Sequence, residues 1–68
     1  MITVTEARCR GWRIWPAQVV SNGNYERVAH HSRIGDAIGF GKSLYAVRSN
    51  LLQDIELKES MYAIFGRD

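Results

Sequence analysis

The stretch Ser32–Ser49, SRIGDAIGFGKSLYAVRS, carries the only long amphipathic helix pattern in the chain and most constrains its fold. At 100° per residue, Ile34, Ala37, Ile38, Gly41, Leu44 and Tyr45 fall within one broad arc, with Phe40 and Val47 widening it. Gly35, Asp36, Gly39, Lys42 and Ser43 take the opposite arc. That division predicts a helix laid on a sheet, with Ser32 as N-cap, Asp36 near the positive end of the helix dipole and Arg48 near the negative end.

Three glycines within this stretch oppose that expectation, since each costs roughly 1 kcal/mol relative to alanine inside a helix. Such a helix holds only through its buried side. Gly35, Gly39 and Ser43 recur at every fourth position on the outer arc and leave a shallow groove where a partner, or a second copy of the chain, can approach. The alternative is a helix that begins near Ser43 and runs toward Gln53.

Segments on either side read as strands. Ile2, Val4 and Glu6 alternate with Thr3, Thr5 and Ala7, a β-branched run that predicts a first strand ending near Cys9 or Arg10. From Trp12 to Val20 the alternation resumes, interrupted by Pro16, which makes this strand an edge or kinks it. Asn22-Gly23 is the strongest local signal, because this dipeptide suits the two positive φ angles of a two-residue hairpin loop. With that loop, Val20 opposes Tyr25, Val19 opposes Glu26, Ala17 opposes Val28 and Trp15 opposes His30, placing Trp15, Ala17, Val19 and Val28 inward. After Arg48-Ser49-Asn50, the pattern predicts strands at about residues 54–58 and 61–65; a single helix across Leu51 to Ile64 is the rival. The expected architecture is a single α+β domain over residues 1–68, ββαββ in order, with an antiparallel sheet of three or four strands and one helix on one face.

A chain of 68 residues buries only ~60% of its unfolded surface, so the core is small and association is a natural way to extend it. A homodimer is expected. One cysteine, Cys9, forms no internal bridge and suits a reducing cytoplasm. No secretory leader pattern and no apolar run of about 18 residues is present, so neither export nor a membrane span is expected. The net charge of +2 is uneven: residues 1–50 carry seven basic against three acidic groups, and residues 51–68 two against four. This permits nucleic-acid contact without requiring it.

Chemistry-bearing residues are sparse. Gly41-Lys42-Ser43 imitates the end of a phosphate-binding loop, but the position that must hold the first glycine is Asp36, whose charge would repel phosphate. His30 and His31 are adjacent, so on a strand they point to opposite faces and do not grip one metal with Cys9. Neither a metal nor any other cofactor is expected. Asp54, Glu56 and Glu59 are not paired with a nucleophile or base by any spacing, so no catalytic residue is assigned.

Surface recognition remains. In Arg8-Cys9-Arg10-Gly11-Trp12-Arg13-Ile14-Trp15, arginines interleave with tryptophans, and one tryptophan is expected in the core and the other on the surface. The leading expectation is a non-enzymatic protein-interaction module using Arg10, Trp12, Arg13 and Trp15, with Gly35, Gly39 and Ser43 as a second contact face. The alternative is a nucleic-acid-binding surface of Arg8, Arg10, Arg13, Arg27 and Lys42.

Overall fold

The computed structural model describes residues 1–66, beginning with a short helix α1 (Val4–Cys9) where the β-branched run had predicted a strand. A capping box decides the matter. Thr3 Oγ1 accepts from the Glu6 backbone N–H at 3.1 Å, and Glu6 Oε1 accepts from the Thr3 N–H at 2.9 Å, so two orphan amides are satisfied reciprocally. The weak strand propensity of six residues loses to this local closure.

Four strands follow: β1 (Arg13–Ile14), β2 (Gln18–Val19), β3 (Tyr25–His31) and β4 (Gly35–Gly41). All pairings are antiparallel; β1 and β2 lie end to end along one edge of β3, and β4 pairs with β3 along its whole length. The Asn22-Gly23 turn forms as expected, with φ of 52° and 72°. Its register differs, because Val20 N–H and Ser21 C=O both bond Asn24, so two residues oppose one in a bulge. Val19 therefore opposes Tyr25 and Gln18 opposes Glu26. A second slip at Trp15-Pro16-Ala17 sets Ile14 opposite Ala29 and Arg13 opposite His30. These slips move the face assignments: Trp15, Val19 and Val28 are exposed, and Trp12 is buried at 2%.

The helix expected over Ser32–Ser49 is not there. Gly35–Gly41 is a strand, and the long helix α2 runs from Leu44–Phe65, replacing the two strands expected at 54–58 and 61–65. Ser43 is its N-cap, its Oγ accepting from the Ala46 N–H at 3.0 Å. The domain is thus α+β with a four-stranded antiparallel sheet, in the order αββββα instead of ββαββ.

The glycines explain the reversal. Along β4, Ala37 and Gly39 are buried against α2 with Gly41 at their margin, while Asp36, Ile38 and Phe40 point away from it. A β-carbon at Gly39 would stand 2.7 Å from Leu51 Cα, and one at Gly41 would stand 2.7 Å from the Val47 nitrogen. Residues without side chains let the helix backbone rest directly on the strand. Val47, Leu51, Leu52 and Ile55 of α2 then close a core with Ala29, Ala37, Ala7, Ile2 and Trp12.

Glu59 fastens the N-terminal segment to α2. One carboxylate oxygen accepts from Arg10 Nη1 at 2.8 Å and the other from Trp12 Nε1 at 3.2 Å. His31 completes the joint: its ring meets Trp12 edge-on at 5.2 Å, Nε2–H donates to the Arg10 carbonyl, and Nδ1 accepts from the Arg33 and Ile34 amides. Glu59, to which the sequence assigned no catalytic partner, is a structural tie.

Two outcomes follow from these contacts. Gly39→Ala forces the added methyl into the backbone of α2 and is expected to destabilise by about 1–3 kcal/mol in urea unfolding. The Thr3 backbone and side-chain hydrogen bonds hold the Glu6 carboxyl below its ordinary range, so its contribution is present above pH 4.5 and lost as pH falls through the lowered folded value. Glu6→Gln, which keeps an oxygen for the Thr3 amide and cannot ionise, should flatten that acid limb of the stability–pH curve, measured by thermal melts.

Candidate functional site

Strand β4 has two unlike faces, and the one turned from α2 is uncovered. Across it lie Ile38 and Phe40 of β4, Val28 of β3 and, at the margin, Trp15, which is 44% exposed. Trp15, Val28 and Ile38, with Pro16 and Gln18, bound a shallow groove of about 610 Å³ whose floor includes the backbone of Ala29 and Ala37, the side chains of which turn to the core. At one end His30 Nδ1 and Asp36 form an exposed pair at 2.6 Å. Glu26 on the same face has no cation within ion-pair distance among the described residues.

Both sheet edges beside this face are partly occupied. On the β4 side, Asp54 Oδ2 accepts from the Ile38 N–H at 2.9 Å and the Asn50 amide donates to the Phe40 carbonyl, so α2 side chains occupy the outward backbone groups. Lys58 steadies the Asp54 carboxylate at 3.2 Å. On the other side Pro16 parts β1 from β2, and Arg27 Nε donates to the Trp15 carbonyl at 2.7 Å. These contacts interrupt the backbone rows at both edges, which favours side-chain contact over strand addition.

A second apolar surface lies at the end of α2. The last buried residue of the helix is Ile55, and beyond it Leu57, Met61, Ile64 and Phe65 are exposed, the last at 78%. Helical spacing puts Leu57, Met61 and Ile64 on one stripe. This overhang gives the molecule its length of 42 Å against widths of 20 and 19 Å.

The residues expected to make partner contacts are dispersed. Trp15 is on the surface, as one of the two tryptophans was expected to be, and Arg13 is exposed on β1. Trp12 is core and Arg10 is held by Glu59. Gly35, Gly39 and Ser43 share no outward helix face: Gly35 opens β4 with φ +111°, Gly39 lies beneath Leu51, and Ser43 caps α2. Of the basic set, Arg8 and Lys42 are exposed, and Arg27 is half-buried with its charge form disfavoured by desolvation and then by Arg8 and Arg48. Sequence reasoning missed Val28, Ile38 and Phe40 as an outward face. The signal was present in the strict alternation of Gly35, Ala37, Gly39 and Gly41 with Asp36, Ile38 and Phe40.

His30 faces the open side and His31 packs beside Trp12, on opposite faces as adjacent strand residues must be. Among the described residues no three His, Cys, Asp or Glu side chains come together as a metal-binding group. No helix among them is long and apolar enough to cross a membrane. Comparison with known proteins finds no matching family model, curated protein or solved structure.

The edge caps are open to test. Asp54→Ala is expected to lower stability by about 1–2 kcal/mol, since it removes a charged acceptor from a strand amide. Hydrogen exchange should accelerate at Ile38 while the Val47 amide, bonded within α2, keeps its relative protection.

Proposed function

We propose that this chain is a non-enzymatic interaction module that self-associates, burying the open sheet face and the overhanging end of α2 against a second copy. The observation that carries this reading is an exposed apolar face of Trp15, Val28, Ile38 and Phe40, flanked by two edges whose backbone rows are interrupted by side chains. Among the described residues fourteen large hydrophobic side chains are exposed, against nine hydrophobic residues in the core. The exposed surface is 4790 Å², above the ~4,400 Å² expected of a folded monomer of this mass.

A second copy suits the patches better than a small molecule does. The sheet face spans seven residues and three strand widths, roughly 320 Å² in projection. A stable pair needs about 800 Å² from each partner. The sheet face alone falls short, and the exposed end of α2 supplies further apolar area on the same chain. Pairing of like chains buries both at once.

Chemistry is not part of the proposal. The exposed His30–Asp36 pair has no nucleophile among its neighbours on the groove, and Cys9 sits apart on α1. A reducing compartment, the cytoplasm by preference, keeps that exposed thiol free.

Light scattering on the purified chain should give twice the protomer mass of 7.8 kDa. Ile38→Asp and Met61→Glu should each weaken association by at least about tenfold. Their far-UV circular dichroism should be unchanged, because both side chains are already in water in the protomer. A wild-type chain that stays monomeric at millimolar concentration overturns the proposal.

A further inference from the structure

Between the β1–β2 connection and the start of α2 lies another groove, of about 340 Å³, bounded by Pro16, Arg27, Leu44, Tyr45 and Arg48. Arg27 donates through Nε to the Trp15 carbonyl, which leaves its outer nitrogens free. Arg8 reaches toward the adjacent Ile14 carbonyl at a long 3.5 Å, so its guanidinium stands beside the same turn of backbone. Arg48 lies over the Tyr45 ring, 5.6 Å from its centre. None of the three arginines has a carboxylate within ion-pair distance among the described residues.

We infer that this groove binds the backbone of single-stranded nucleic acid, with Arg8, Arg27 and Arg48 on phosphates and Tyr45 as a stacking platform for a base. Guanidinium forks match phosphate oxygens and gain most where no carboxylate already neutralises them. Tyr45 is 72% exposed, and its free ring face accepts any base. Stacking of this kind needs an unpaired, splayed base, which a duplex does not offer. The site meets the groove of the open sheet face only at Pro16, and its arginines and Tyr45 take no part in the proposed self-association.

Fluorescence anisotropy with labelled oligo-dT and oligo-rU of about 12 nucleotides, beside a duplex of equal length, tests the inference. Three phosphate contacts predict a log–log salt slope near −2, a loss of about 20-fold in affinity between 50 and 200 mM salt. Arg48→Gln and Arg8→Gln should each lower the slope by about 0.7, whereas Arg33→Gln, on the distant β3–β4 turn, should leave the groove intact and change affinity less. Tyr45→Ala should weaken binding about fivefold or more, with Tyr45→Phe retaining it. Ile38→Asp, which disrupts the proposed dimer, should leave the affinity unchanged. No binding at about 10 μM protein in low salt overturns the inference, as does a duplex held as tightly as the single strand, or equal losses from Arg33→Gln and Arg48→Gln.

Discussion

Everything in this fold depends on the close seating of α2 on the small-residue face of β4. Gly39 and Gly41 leave no room for even a methyl group between strand and helix, and Ala37 continues the same face toward Ile55. A 68-residue chain has few side chains with which to build thickness, so drawing two backbones together is an economical way to exclude water. Helix α2 supplies Val47, Leu51, Leu52 and Ile55 to the core, and Ile2, Ala7 and Trp12 of the N-terminal segment close it with Ala29 and Ala37 of the sheet.

The same alternation fixes what is left outside. With period two, assigning Ala37, Gly39 and Gly41 to the helix sends Ile38 and Phe40 to the opposite face, where no second layer exists in the protomer. The open apolar face is therefore a consequence of how the helix is seated. Helix α2 also guards the neighbouring edge, since Asn50 and Asp54 project one turn apart toward alternate backbone groups of β4. One element thus builds the core, closes an edge and contributes the exposed Leu57, Met61 and Ile64 stripe.

The sequence revealed the class of fold better than its layout. The Asn22-Gly23 turn was legible because its requirement is local: two positive φ angles. Thr3-x-x-Glu6 was equally local and was overlooked under a β-branched run, although its two reciprocal hydrogen bonds outweigh strand preference over so short a span. The Ser32–Ser49 stretch misled for a tertiary reason. Counting Ile34, Ala37 and Ile38 as one buried arc assumes that large aliphatics go inward, and here the small residues do. The same assumption hid α2, because Leu57, Met61 and Phe65 fit no core-facing stripe and are exposed. Where a chain leaves apolar residues outside, periodicity reports the exposed apolar face as well as the core, and the two signals overlap.

Net charge is similarly a poor guide to the surface field. Glu6 closes the α1 cap, Asp54 holds Ile38 and Lys58, Glu56 accepts from the Ile2 amide, and Asp36 pairs with His30. Among the described residues only Glu59 neutralises an arginine, Arg10. Arg8, Arg13, Arg27, Arg33 and Arg48 therefore stand without carboxylate partners, and the field around the start of α2 is more positive than a net charge of +2 implies. Carboxylates committed to backbone amides stabilise the fold, and arginines left unmatched by that commitment are the groups available to an anionic partner.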